Sequence, residues 1–384
     1  MHRNNLILAF MVAMMSCGYS TVHAAGEQHP ASGGSSAPGT VSMAYGRFVP
    51  EREDDFAWEN DKVAFRVYGP NSSGAGPVSG VDAWFKKVDY PVIDKWYAEH
   101  LQGKSYHTDH GEGYDVYHVG SSRGVGGTAV WVDGVPYPAG TFSDYKVLQS
   151  GEDVVEFTLT YEWDTPLGSV AEQKTISLEL GSQLYRVRSI FTLDGEPASL
   201  PIAIGLTTHD GAADVSSSMV NGRISTWEEI DGHGVGTGVL TTPGRTREIL
   251  HAPGEQKDTG HIWLITSSDD AGKLAFEAGF AWQGAGEITS SDDWNHYLDA
   301  RAIDAIGDRV ANWQLSKLGE LDYFRTEHPG QRDPRAWHHG AFYVGMMNWA
   351  NLPGNAKYND ALKAISEENE WKLGRRLFLS LIHI

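Results

Sequence analysis

The chain has 384 residues, with 30 Lys and Arg against 50 Asp and Glu, a formal net charge of −20, and one cysteine, Cys17. Such an acidic excess excludes a nucleic-acid-binding surface, which needs clustered cations, and an anionic ligand must then be captured by local guanidinium groups such as Arg47, Arg52, Arg66 or Arg123. No Gly-x-Ser-x-Gly elbow and no phosphate loop ending in Lys-Ser/Thr is present, so acyl and phosphoryl transfer have no motif to rest on.

The first residues join a basic start (His2, Arg3), an apolar run from Leu6 to Met15 and a small-residue exit at Val22-His23-Ala24. That is the pattern of a secretory signal over residues 1–25, too short to span a membrane, and it places the mature protein in the periplasm or outside the cell. Lipid attachment at Cys17 is the alternative, on a poor version of its motif. Cleavage after Ala24 leaves no cysteine, and with it no disulfide or thiol chemistry. Residues 26–40 have the composition of a disordered linker.

From Val63 the text turns strand-like. In Val154 to Trp163, Phe157, Leu159, Tyr161 and Trp163 alternate with polar residues, the period of a half-buried strand. Ile176 to Leu180, Tyr185 to Leu193, Ile262 to Ile265 and Leu274 to Trp282 repeat the theme. Short strands separated by Gly, Asp and Ser turns predict one large antiparallel β-sandwich over 41–303, with no long helix before about position 300. Beyond it the period becomes helical. Ile303, Ile306, Val310 and Trp313 share one face, Tyr358, Ala361, Leu362 and Ile365 another, and Trp337 to Trp349 is apolar nearly all round. Residues 304–384 are thus expected to be the incomplete start of a helical domain, whose last residues, 377–384, lack a cap.

Tyr106 to Gly127 (YHTDHGEGYDVYHVGSSRGVGG) packs histidines, carboxylates, tyrosines and an arginine between glycines. Rich in acids, bases and one fixed cation, the segment suits proton abstraction beside a carboxylate. If it is extended, Tyr106, Thr108 and His110 share one face and His107 and Asp109 the other, so the two histidines serve one pocket only if a turn at Gly111 and Gly113 intervenes. Glu112 and Asp115 are expected to orient a histidine or cap backbone groups, and Gly124, Gly126 and Gly127 to form a tight turn. His107, Asp109 and His110, with His209 and His233, are also a ligand set for a divalent metal, although their spacing is no recognised metal motif.

At Gly46 to Pro70 (GRFVPEREDDFAWENDKVAFRVYGP), Gly205 to His209 (GLTTH) and Ser291 to Leu298 (SDDWNHYL) the chain resembles the family known as domain of unknown function 4861, over roughly Val41 to Ala300. The resemblance implies a mutarotase-like β-sandwich in a secreted carbohydrate-processing protein, and an activity associated with that family, dehydration of the non-reducing-end uronic acid of acidic oligosaccharides. Ala311 to Arg376 resembles the first helices of the unsaturated uronyl hydrolases, glycoside hydrolase families 88 and 105, whose fold is an (α/α)6 barrel. The aspartate motifs of those hydrolases do not follow Trp371, which implies that this tail lacks their activity.

Dehydration removes the proton at carbon 5 of a hexuronate and expels the hydroxyl at carbon 4. It requires a cation on the carboxylate, a base at carbon 5 and an acid at the leaving oxygen. The resemblance and the residue types together nominate Arg123 as the cation, His107 or His110 as the base, Tyr106, Tyr114 or Tyr117 as the acid, and His209 as a further member of the site. Arg52, Arg66, Tyr106, Tyr117 and Trp58 are expected to bind substrate, and no cofactor is required. Trp84, Trp96, Trp227 and Trp294 offer further ring faces, most of them expected in the core. The alternatives are a non-catalytic carbohydrate-binding module or a scaffold for a fused hydrolase; a bare aromatic platform would favour these, and a clustered base and guanidinium favours the enzyme. Neither the oligomeric state nor the identity of the uronic acid is legible.

Overall fold

A computed structural model describes residues 41–72, 78–318, 337–352 and 355–368. The expected signal, linker and final residues 377–384 lie outside these. The described chain runs β1 (Tyr45–Val49), β2 (Asp55–Glu59), β3 (Ala64–Val67), β4 (Val81–Lys86), α1 (Ile93–Leu101), β5 (Gly113–Tyr114), β6 (Val125–Val132), β7 (Val135–Tyr137), β8 (Asp144–Gln149) and β9 (Val154–Thr165). It continues through β10 (Gly168–Glu179), β11 (Leu184–Leu193), β12 (Glu196–Pro197), β13 (Pro201–Thr207), β14 (Asp214–Ser218), β15 (Arg223–Ile230) and β16 (His233–Thr241). Then come β17 (Glu248–Ala252), β18 (His261–Ser267), β19 (Lys273–Trp282), α2 (Ser291–Leu318), α3 (Trp337–Ala350) and α4 (Lys357–Glu368).

The strands make three antiparallel sheets: β1-β2-β3-β4-β5, then β14-β15-β16-β19-β11-β10-β9-β8 with β12 on β11, and β17-β18-β13-β6-β7. Their inner faces share one core in which Phe56, Trp58 and Phe65 of the first sheet meet Phe157, Tyr185 and Phe276 of the second and Val130, Ile204 and Leu264 of the third. The protein is therefore a mainly β, antiparallel sandwich. The period-two text around position 157 gives this directly, because Val155, Phe157, Leu159 and Tyr161 of β9 are buried while their alternates are not. Glu172 and Lys174 also fall on the inner face, between Val170 and Ile176. They are tolerated because Ser189 Oγ donates to Glu172 at 2.5 Å and Lys174 donates to Thr128 Oγ1 at 3.1 Å.

Helices enter earlier than the periodicity predicts. α1 follows β4, and α2 begins at Ser291 inside the SDDWNHYL motif. Ser290 Oγ accepts the Asp293 N–H at 3.1 Å, a helix-start bond, and Trp294 and Leu298 are fully buried. Their place is made by β16, where a Cβ at Gly236 would lie 2.5 Å from Trp294 and one at Gly238 would lie 2.8 Å from Leu298. One compact unit ends at Asp304 and another begins at Ala305. In the second, Ala311, Met346, Ala350 and Tyr358 form a small core, while Trp313, expected on a packed face, is exposed. No described helix is long and apolar enough to cross a membrane.

Candidate functional site

Sheet β1–β5, α1 and the loop after it build a pit around Arg66. Its guanidinium Nη2 lies 2.5 Å from Asp82 Oδ2 of β4 and 3.5 Å from Asp115 Oδ2, and its Nε lies 3.8 Å from Asp55 Oδ2 of β2. Nη1 donates to the Tyr106 hydroxyl at 3.4 Å, and Arg52 Nε donates to the same oxygen at 3.3 Å. Burial works against the Arg66 charge, but Asp82 and Asp115 outweigh it and hold the group ionised. Burial also pushes Asp55 up to about 6, and raises Asp82 and, well above the usual carboxylate range, Asp115.

Arg52 and His107 are its most exposed members, with side chains 35% and 53% exposed. The Tyr106 ring packs between them and the interior, 4.5 Å from the His107 ring and 4.9 Å from Trp84. His107 Nδ1 sits 2.8 Å from the Asp115 carbonyl. A carbonyl only accepts, so Nδ1 carries the hydrogen, and in the neutral ring the lone pair is on Nε2. This is the tautomer of a general base.

The loop that presents His107 is a turn, as its glycines allow. Gly111 and Gly113 have φ of 100° and 118°, and Asp109 Oδ1 accepts both of their N–H groups while Oδ2 pairs with Lys87. Asp109 is thereby committed to the loop, and among the described residues no three His, Cys, Asp or Glu come together as metal ligands. Glu112 ties the loop to α1 through Tyr90, Lys95 at 2.6 Å and Trp96 Nε1 at 3.2 Å. α1 itself is docked by Glu59, which accepts the Val92 and Ile93 N–H groups at 2.9 Å and pairs with Lys86 at 2.8 Å. α1 brings in two residues that sequence reasoning missed. Tyr97 lies 5.7 Å from Tyr106, and His100 packs 4.3 Å from it, its pKa lowered by burial, then by His107 and Arg52. The available signal was the carboxylate inside the apolar strand text around Asp82, which a buried partner must explain.

Several expected site residues lie elsewhere. Trp58 is fully buried, stacked 5.4 Å from Phe65 and edge-on to Tyr185, so it has no ring face for a sugar. Arg123 is 2% exposed and does not line the pit opening: it donates to Ser79 Oγ at 2.8 Å and the Ser121 carbonyl at 3.0 Å beneath Gly205, and burial lowers its pKa to about 10. His110 Nε2 lies 3.0 Å from the Ser105 carbonyl, and its ring lines a shallow depression with Tyr106, Trp96 and Glu112. The Tyr114 hydroxyl donates to Asp231 at 2.9 Å, while His233 packs on Trp282. Arg66 and Tyr106 are in the pit but buried, so they back the exposed groups.

His209 and Tyr117 belong to a loop clamp. His209 Nδ1 lies 2.7 Å from Glu228 and Nε2 2.7 Å from the His118 carbonyl, with buried Tyr117 edge-on at 4.9 Å. Burial lowers the His209 pKa, but Glu228 outweighs it and leaves the imidazole above its ordinary value. With two acceptors the ring is an imidazolium, a structural cation, not a base. Alongside, His118 pairs with Asp258, and His261 accepts the Arg123 N–H at 2.9 Å while burial pulls its pKa down to about 4.

Comparison with known proteins finds three partial similarities. An uncharacterized protein, P7, from Formosa agariphila is 38% identical over 277 residues, covering 69% of this chain and 68% of that one. An unsaturated 3S-rhamnoglycuronyl hydrolase from an Alteromonas species is 28% identical over 69 residues, 18% of this chain and 17% of the hydrolase. Among solved structures, a GH36 α-galactosidase from Geobacillus stearothermophilus superposes with a TM-score of 0.31 at 8% identity, covering 62% of this chain and 40% of that one. The family model described as domain of unknown function (DUF4861) matches residues 17–304, and the chain belongs to that family.

Proposed function

We propose that the protein is an exported carbon–oxygen lyase that dehydrates the non-reducing-end uronate of acidic oligosaccharides to a 4,5-unsaturated residue. The observation that carries this reading is His107, 53% exposed with its Nδ1 on the Asp115 carbonyl, across Tyr106 from the part-exposed guanidinium of Arg52, which also pairs with Glu53 at 3.0 Å. Arg52 takes the role first given to Arg123: it binds the substrate carboxylate and lets charge spread onto it as carbon 5 loses its proton. His107 Nε2 takes that proton, the C–H electrons form the C4–C5 double bond, and the C4 hydroxyl leaves as water with a proton from the imidazolium. Arg66, with Asp82, stiffens the wall behind Tyr106. The partial likeness to a hydrolase named for an unsaturated glycuronyl substrate supports the same substrate class, because elimination makes such a residue. The basic, apolar and small-residue pattern of residues 1–25 supports export.

The test is incubation of the protein with uronate-ended oligosaccharides, following ultraviolet absorbance of the conjugated alkene and the mass loss of one water. His107→Ala is expected to lower kcat by ~10²–10⁴-fold with KM largely kept, and Arg52→Ala to raise KM and lower kcat. Wild-type kcat in His107→Ala would remove the assignment. Binding without alkene formation by the wild type would leave a carbohydrate-binding domain.

A further inference from the structure

Three carboxylates meet one buried guanidinium in the pit. Asp55, Asp82 and Asp115 are each at most 3% exposed, and Arg66 is the buried cation they share. Arg52, the other cation nearby, is at the opening and paired with Glu53 at 3.0 Å. Buried charge without a partner costs several kcal/mol, on the order of the stability of a domain, so the surplus negative charge is removed by binding a proton. The three acids are not equivalent. Asp82 has the 2.5 Å guanidinium contact and the Ala83 N–H, and Asp55 has the Gly69 N–H at 2.9 Å on Oδ1, although its Oδ2 is also buried without a hydrogen-bond partner. Asp115 Oδ2 is buried without a hydrogen-bond partner, 3.5 Å from Arg66 Nη2 and 3.5 Å from His107 Nδ1.

We propose that this cage binds a proton on the Asp115 carboxyl, and that the neutral carboxyl keeps His107 in the tautomer with hydrogen on Nδ1 and a bare Nε2. An ionised Asp115 at that distance would draw the Nδ1 hydrogen away from the backbone carbonyl and favour the imidazolium, which is no base. Asp115 is thus a positioning residue for His107. The groups facing its carboxyl are Asp55 from β2, Arg66 from β3, Tyr68 just after β3, Asp82 from β4, Arg52 from the β1–β2 turn and His107 from the loop. Burial and the charge of Asp82 both favour the protonated form. The consequence for catalysis rests on the reading of His107 as the base, but the proton itself does not.

Isotope-edited infrared spectroscopy of the intact protein reads the proton without substrate. At neutral pH the wild type is expected to show a protonated-carboxyl stretch that disappears as pH rises and is missing in Asp115→Asn. In Asp82→Asn, Arg66 is released toward Asp115, so the band is expected to vanish at lower pH than in the wild type. Side-chain ¹⁵N NMR of His107 is expected to show the same tautomer in wild type and Asp115→Asn at neutral pH, with a titration step at the infrared pH in the wild type alone. Absence of the band in the wild type at neutral pH, its persistence in Asp115→Asn, or identical His107 titrations in the two proteins overturns the proposal. If Asp115→Asn does not fold, the wild-type infrared titration decides alone. Because no turnover is measured, failure of the dehydratase reading and failure of the proton assignment are separate results.

Discussion

Lys86→Met is expected to be among the most damaging single changes to the pit, although Lys86 touches none of its opening. The Lys86 and Glu59 side chains are both 0% exposed, and the ammonium donates to Glu59, the Asn60 carbonyl and the Tyr90 carbonyl, each at 2.8 Å. All three of its hydrogens are used. Methionine matches the stem and removes the charge, leaving the Glu59 carboxylate buried with only the Val92 and Ile93 N–H groups. Breaking a buried pair on one side costs ~3–5 kcal/mol, about a fifth or more of a typical ~5–15 kcal/mol of stability. The loss is local first, because Glu59 docks α1, which carries Tyr97 and His100 against Tyr106. Urea unfolding followed by circular dichroism measures the total. The double variant Glu59→Gln/Lys86→Met separates the mechanisms: it buries no charge and keeps an acceptor for the helix N–H groups, so most of the stability should return. A cost below ~1 kcal/mol for Lys86→Met, or a double variant no more stable than the single, would show that the pair is not a coupled buried unit.

Two histidines make opposite pH predictions. The folded-state pKa of His261 is pulled down from 6.5 to about 4, so the unfolded chain takes up its proton first as pH falls. Stability is then lost between those two values, by about 3 kcal/mol in all, and His261→Gln should remove that slope from the denaturation midpoint; an unchanged slope would mean that the ring is not buried as a neutral acceptor. His209 has a raised folded pKa, so its contribution is present below 6.5 and lost as pH rises through the folded value. His209→Gln should flatten the alkaline side of the stability curve, and a variant as pH-dependent as the wild type there would break the imidazolium assignment.

The alternation of apolar residues along β9, β10 and β11 determined a half-buried antiparallel sheet, because period two leaves one face to cover. The change of period past position 300 determined the helices that became α3 and α4. The YHTDHGEGYDVYH text determined a segment dense in titratable side chains, and the glycines at 111 and 113 the turn that presents His107. Which polar residues share a site was decided only by the tertiary structure. Adjacent-sounding groups such as His107 and Arg123 are parted because the chain between them passes through β5 to the approach of β6, while Arg52, Arg66, Asp82 and Asp115 converge from separate strands and loops. Exposure was decided the same way: Trp58 and Arg123 look like ligand-binding groups in the text, and pairing and packing turn both inward. Protonation followed from that burial, since the same carboxyl is ionised in water and neutral beside two others in an interior with a single guanidinium.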